Sequence, residues 1–132
     1  MDAVGKILLI GGGGFLGANA RYWLGGFVQD KVGGATFPWS TMFINVTGCL
    51  IIGAFMGLFG ELTWNPNWRL FFAIGVLGGY TTFSTFGFEA VGLLQQKEYA
   101  RALLYIEGSA LLSVAGAWAG LVIARLILGG RS

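Results

Sequence analysis

A short polar run lies inside an otherwise apolar stretch of the chain, at residues 78–86. It reads Gly-Gly-Tyr-Thr-Thr-Phe-Ser-Thr-Phe. Adjacent glycines and threonines form helices poorly, so we expect a helix to be broken here. A break frees backbone carbonyl oxygens, which is one of the ways that membrane proteins hold Na⁺. The alternative is a glycine kink in which the threonine hydroxyls bond back to their own helix.

The same run places Phe83 and Phe86 three residues apart, which puts both rings on one helix face. The edge of an aromatic ring carries partial positive charge, so two ring edges can face an anion without any formal charge. The alternative is that both rings simply pack against neighbouring helices.

A second apolar stretch carries a polar stripe made by Thr41, Asn45 and Gly48, which share one helix face. The side-chain amide of Asn45 has two N–H donors, which suit an anion. The alternative is that Asn45 hydrogen-bonds to another helix, as buried polar residues do in membrane proteins.

A third stretch places Tyr105, Ser109 and Ser113 at spacings of four residues, so their hydroxyls lie along one helix face. Such a face can line a narrow, wet track for an ion. The alternative is local bonding of each serine hydroxyl to a backbone carbonyl of its own helix.

Charged residues are rare in these stretches. Arg21 stands beside Tyr22 and Trp23, where it either attracts anions into a vestibule or extends its guanidinium to the lipid headgroups. Glu89 and Glu107 interrupt the third and fourth stretches, and each is a candidate proton site, ion-pair partner or water-facing group.

The composition fixes the class of protein that must position these groups. Of the 132 residues, 55% are hydrophobic and 11% are charged, against about 25% charged in a soluble domain. A soluble fold this small needs a more polar surface. With no histidine and one cysteine, Cys49, imidazole chemistry and an internal disulfide are excluded, and a net charge of +2 gives no sign of nucleic-acid binding. We expect a small integral membrane protein that is not an enzyme.

Apolar segments of about 20 residues span a bilayer. The sequence predicts one all-α domain over residues 1–132, with four such segments, at about 4–28, 39–60, 69–95 and 101–128. The polar run begins about ten residues into the third segment, which is roughly 15 Å by the helical rise and near the bilayer midplane. A secretory signal ending near residue 20 is the rival interpretation of the first segment, although the glycines at 11–14 weaken its apolar region.

Basic residues leave the orientation of the four segments undetermined. The side that carries both termini has Lys6, Arg69, Arg125 and Arg131, and the opposite side has Arg21, Lys31, Lys97 and Arg101. This balance fits a chain that inserts in both orientations and pairs antiparallel with itself, or segment boundaries that are a few residues wrong.

Glycine pairs four residues apart recur in every segment and predict close helix packing. They are Gly13 with Gly17, Gly53 with Gly57, Gly75 with Gly79, and Gly116 with Gly120. A bundle this small has little interior of its own, so we expect a homodimer. In an antiparallel dimer the midplane carbonyls of both chains meet at the twofold axis, which favours one shared structural Na⁺.

The motifs together resemble the Fluc fluoride channels, also called CrcB proteins. The similarity lies in residues 12–22, in Thr41 to Asn45 with Gly48 and Gly53, and above all in residues 75–86 with Glu89. It covers essentially the whole chain in the same order.

The resemblance implies an antiparallel, dual-topology homodimer in the inner membrane, with two pores that export cytoplasmic fluoride passively. It implies pore positions at Asn45, Phe83 and Phe86, with Thr41 on the same stripe as Asn45, and a hydroxyl track at Tyr105, Ser109 and Ser113. It also implies that the carbonyls of Gly78 and Thr81 hold Na⁺. A small proton-coupled multidrug transporter is the competing hypothesis, although such transporters need a carboxylate deep in the first helix, where this chain has none.

Overall fold

The computed structural model describes residues 1–34 and 36–129, and this part of the chain is entirely helical, without a strand. In chain order its elements are α1 (Ala3–Lys31), α2 (Trp39–Glu61), a π-helical segment (Arg69–Leu77), α3 (Gly78–Tyr80), α4 (Phe83–Gln95) and α5 (Tyr99–Ile127). Arg131, which entered the charge balance above, lies outside the described residues.

Local chemistry accounts for the ends of these helices. The side chain of Asp2 accepts a hydrogen bond of 2.8 Å from the Gly5 amide, which caps the start of α1. Gly33 and Gly34 both have positive φ angles and turn the chain after α1. Lys97 turns the chain after α4 with a φ of 60°, a conformation in which a side chain is strained.

Four helical segments are long and apolar enough to cross a membrane, as predicted. They are Ala3–Lys31, Trp39–Glu61, Arg69–Gln95 and Tyr99–Ile127, with lengths of 29, 23, 27 and 29 residues. Large apolar side chains cover the outside of the protomer. Phe15, Trp23, Phe88 and Trp118 are between 67% and 81% exposed. Such a surface suits lipid or a partner rather than water, and the chain is a multi-pass membrane protein.

Glycine seams join the helices in two pairs. The first seam joins α1 to the π-helical segment and α3. Its members are Gly13, Gly17, Gly75 and Gly79. A Cβ on Gly17 would overlap the carbonyl oxygen of Val76, and a Cβ on Gly79 would lie 2.6 Å from the carbonyl oxygen of Gly14. The backbones therefore touch directly, which confirms the packing predicted from the glycine pairs.

The second seam joins α2 to α5. Its members are Gly53, Gly57, Gly116 and Gly120. A Cβ on Gly53 would overlap the Ala117 carbonyl, and a Cβ on Gly120 would overlap the Leu50 carbonyl. Outside the two seams a space remains between α2, α3, α4 and α5, and polar residues of these helices line it.

The third apolar segment changes conformation twice along its length. Its first nine residues are π-helical and run directly into the single turn of α3. The backbone then becomes extended at Thr81 (φ −80°, ψ 155°) and Thr82 (φ −147°, ψ 116°), and helical conformation resumes at Phe83. We call Thr81 and Thr82 the interruption. Its depth in the bilayer stays a prediction.

Candidate functional site

A cavity of about 450 Å³ opens between α2, α3, α4 and α5. Among the residues singled out from the sequence, those that line it include Asn45, Gly48, Gly78, Thr81, Phe83, Phe86, Ser109 and Ser113. Four separate helices thus bring together residues that lie up to 68 positions apart in the chain (113 − 45 = 68). Thr41 and Tyr105 form a second group beyond Phe86.

Asn45 binds the backbone of the interruption through both ends of its side-chain amide. Its Nδ2 donates to the carbonyl oxygen of Thr82 at 2.9 Å, and its Oδ1 accepts from the Thr82 amide at 2.8 Å. Opposite residues of two antiparallel β-strands pair in the same way, each donating one hydrogen bond to the other and accepting one from it. Asn45 therefore lines the cavity with only part of its hydrogen-bonding capacity left for an ion.

Two carbonyl groups lose their helical partners at the interruption. In a continuous α-helix the Thr82 amide would donate to the carbonyl of Gly78, but here it donates to Asn45. The Thr85 amide would donate to the carbonyl of Thr81, but here it donates to the Thr82 hydroxyl at 3.3 Å. Carbonyl oxygens are hard, neutral ligands, so Gly78 and Thr81 suit a cation such as Na⁺.

Other side chains of α2 help to seat the interruption. The hydroxyls of Thr47 and Tyr80 lie 2.8 Å apart in a hydrogen bond, and Tyr80 is buried. Gly48 leaves room for the Thr81 methyl group, which a Cβ would overlap. Of the stripe predicted on α2, Asn45 and Gly48 thus meet the interruption, whereas Thr41 bonds to Glu89 of α4.

Aromatic rings connect the cavity to the second group. The ring centroids of Phe83 and Phe86 are 5.4 Å apart, and those of Phe86 and Tyr105 are 5.1 Å apart. The two phenylalanines therefore share one face, as their spacing predicts. Phe86 is half-buried beside Tyr105, whereas Phe83 is 84% exposed although it lines the cavity.

The hydroxyls of α5 differ in their surroundings. Ser109 is 6% exposed, and its Oγ has no hydrogen-bond partner among the described residues. Ser113 lines the same cavity one turn further on and is half-buried. A buried hydroxyl without a partner costs free energy, so an unpaired Ser109 beside a cavity indicates a site for water or an ion.

Glu89, for which the sequence left three roles open, joins the second group. Its Oε1 accepts from the Thr41 hydroxyl at 2.9 Å, and its Oε2 accepts from the Tyr105 hydroxyl at 2.6 Å. Tyr105 is completely buried and Glu89 is half-buried. The sequence did contain one indication that Glu89 lies near the cavity, because it follows Phe86 by three residues and shares its helix face.

Two other charged candidates lie apart from this site. Arg21 is a half-buried residue of α1, the helix that packs along the π-helical segment, and it does not line the cavity. Glu107 is an exposed residue of α5.

Four membrane-length helices, three of which line a largely apolar cavity with a few polar and aromatic groups, define a small polytopic membrane protein. Residues 8–121 match the family described as CrcB-like protein, Camphor Resistance (CrcB). The chain belongs to this family, so the resemblance stated from the sequence motifs is confirmed.

Similar proteins match almost end to end. One from Nitrobacter winogradskyi, named fluoride-specific ion channel FluC, is 48% identical over 123 residues, covering 92% of this chain and 96% of the relative. One of the same name from Thermus thermophilus is 44% identical, covering 96% of this chain and 98% of the relative. A third, from Rhizobium meliloti, is 43% identical, covering 92% and 98%.

Proposed function

We propose that this protein is a fluoride-selective ion channel that passively exports cytoplasmic fluoride and so protects the cell from fluoride toxicity. The observation that carries the proposal is the near end-to-end similarity to proteins named fluoride-specific ion channel. Export from the cytoplasm places the channel in the inner, or plasma, membrane. Such a protein catalyses no covalent step and is not an enzyme.

The chemistry of the cavity suits a small anion. A strongly hydrated ion enters a narrow pore only if close donors replace its water. The unpaired hydroxyl of Ser109, the hydroxyl of Ser113 and the positive ring edges of Phe83 and Phe86 are such donors. None of these groups carries a formal charge, so an anion is held loosely enough to leave.

The second group, made by Thr41, Glu89 and Tyr105, forms one end of the proposed pathway. Thr41 and Tyr105 donate to both oxygens of the Glu89 carboxylate, and the ring of Tyr105 contacts Phe86 of the cavity. In the competing transporter, a carboxylate deep in the first helix would carry protons. The acidic residue of α1 is Asp30, in its last turn, so that function is not favoured.

A second copy of the chain completes the pore in this proposal. Phe83 is 84% exposed, and a pore residue in that position needs a second wall. The equal numbers of basic residues on the two sides of the four segments favour an antiparallel pair with dual topology. Such a dimer contains two identical pores related by a twofold axis in the membrane plane.

The same axis offers a structural site for Na⁺. The carbonyls of Gly78 and Thr81 have lost their helical partners, and an interruption near the bilayer midplane would bring the carbonyls of both copies together. Na⁺ bound there would join the two chains. Arg21, half-buried on α1, would draw fluoride towards the pore entrance as part of a vestibule.

Ion efflux from liposomes tests the proposal. Liposomes with the purified dimer are loaded with KF or KCl, and efflux is started with valinomycin and a proton carrier. We expect fast fluoride efflux and no chloride efflux. Efflux of neither ion from folded dimers would contradict a channel, and equal efflux of both would contradict selectivity.

Single substitutions test the assignment of the rings. Phe83→Ile and Phe86→Ile remove an aromatic edge from the cavity and should each abolish fluoride efflux while the dimer persists. Phe88→Ile is the matched control, because Phe88 lies on the same helix, is 81% exposed and does not line the cavity. Unchanged efflux in both cavity variants would remove the rings from the pathway.

A further inference from the structure

The bond between Asn45 and Thr82 has a consequence for a third residue. Asn45 lies on α2, yet both of its hydrogen bonds are made to the backbone of one residue in another membrane segment. Thr82 is 8% exposed, so water has little access to it while the Asn45 amide is in place. If the Asn45 side chain moved away, the acceptor that an α-helix offers to the Thr82 amide would be the carbonyl of Gly78, four residues earlier.

Two states of the interruption are therefore possible. In the one observed, the Thr82 amide binds Asn45, and the Gly78 carbonyl is free to bind a cation. In the other, the helix gains one more hydrogen bond and the Gly78 carbonyl is consumed by it. The Asn45 amide stabilises the first state and has no favourable role in the second, so it biases the equilibrium between them.

We propose that Asn45 is a positioning residue, which acts through Thr82 to keep the Gly78 carbonyl available and thereby sets the cation affinity of the interruption. This differs from a role as a direct ligand of the anion. The cation part of the inference rests on the proposed Na⁺ site. The backbone part, that Asn45 holds the Thr82 amide, does not.

Hydrogen exchange tests the backbone part. The exchange rate of the Thr82 amide is followed in the detergent-solubilised dimer with N-methylglucamine as the cation, so that Na⁺ plays no part. In Asn45→Ala the Thr82 amide is left with the Gly78 carbonyl as its partner. We expect its exchange rate to rise by about tenfold, because this bond is the weaker of the two and opens more often. Asn19→Ala is the matched control, since the Asn19 amide donates only to its own helix, at Phe15.

Sodium titration tests the cation part. The measured quantity is the Na⁺ concentration that gives half of the maximal rise in unfolding temperature. We expect this midpoint to increase by about tenfold in Asn45→Ala, as one cation ligand is lost to the helix. A purely structural role would lower the unfolding temperature at every Na⁺ concentration and leave the midpoint where it is.

Asn45→Asp tests the donor and the acceptor of the amide separately. It can also be used if Asn45→Ala does not fold. Aspartate keeps an acceptor for the Thr82 amide but, when ionised, has no donor for the Thr82 carbonyl. We expect Thr82 to stay protected and the Na⁺ midpoint not to rise. Fast exchange of Thr82 in this variant would overturn the inference.

The outcomes distinguish this inference from the function on which it rests. An unchanged Thr82 exchange rate in Asn45→Ala overturns the backbone part, whatever the fluoride efflux. An unchanged Na⁺ midpoint overturns the cation part. If the unsubstituted dimer shows no response to Na⁺, the proposed Na⁺ site itself fails, and the exchange experiment still decides whether Asn45 holds the interruption.

Discussion

The hydrogen bond between Tyr105 and Glu89 gives the sharpest energetic prediction. Tyr105→Phe removes only the hydroxyl that donates to Glu89 Oε2 at 2.6 Å and keeps the ring that packs on Phe86. A hydrogen bond to a charged group contributes about 1.5–3 kcal/mol. Since Tyr105 is 0% exposed, water does not replace the lost donor. We therefore expect a loss of about 2–3 kcal/mol, or about 30- to 160-fold in the unfolding equilibrium.

The assay is equilibrium unfolding in mixed micelles, followed by tryptophan fluorescence. Thr41→Val removes the longer bond to the other carboxylate oxygen, at 2.9 Å, and should cost less, about 1–2 kcal/mol. Tyr99→Phe is the control, because Tyr99 is 63% exposed, and we expect a change below about 0.5 kcal/mol.

A double-mutant cycle tests whether the Tyr105 hydroxyl stabilises the fold through Glu89. In a Glu89→Ala background the Tyr105 hydroxyl has lost its acceptor, so Tyr105→Phe should then cost little. The difference between the two backgrounds is the coupling energy, expected at about 1–3 kcal/mol. An equal loss in both backgrounds would show that the hydroxyl stabilises the fold by some route other than Glu89.

Three further predictions use the same unfolding assay. Lys97→Gly relieves a backbone φ of 60° and should add about 1 kcal/mol to the free energy of unfolding; a decrease would count against strain at this turn. Gly120→Ala places a Cβ against the Leu50 carbonyl and should cost about 1–3 kcal/mol, whereas Gly92→Ala, which meets open space, should be neutral or stabilising. Ser109→Ala removes an unpaired buried hydroxyl, so stability should hold or rise while fluoride efflux falls; an efflux rate that does not change would remove Ser109 from the pathway.

Much of the architecture could be predicted because the bilayer imposes a simple requirement on each segment. Length and hydropathy suffice to find four helices, and glycines four residues apart are enough to predict their contacts. Helical spacing also put Phe83 with Phe86, and Ser109 with Ser113, on common faces that the structure reproduces.

The pairing of polar groups could not be predicted, because it depends on contacts between distant parts of the chain. Asn45 and Thr82 are 37 residues apart, and Thr41 and Glu89 are 48 apart. Periodicity assigns a residue to a face of its own helix but does not say which residue of another helix it meets. The sequence left the Asn45 amide to an anion or to a hydrogen bond with another helix. The structure shows the second, with the Thr82 backbone as the partner, which periodicity could not identify.

The π-helical segment also escaped prediction. Residues 69–77 have the composition of an ordinary apolar helix, and α1 lies against them through Gly13 and Gly17. A local sequence pattern does not show which helix will pack against it.

The glycine seams have an entropic consequence. Ordering a long side chain at a helix contact costs up to about 2 kcal/mol in lost rotamers, whereas glycine has no side-chain rotamers to lose. Lipid tails solvate apolar side chains as well as a neighbouring helix does, so association in a bilayer depends on such small savings. Gly17 and Gly79 bring backbone directly against backbone, so α1 meets the third segment at these points without ordering any side chain.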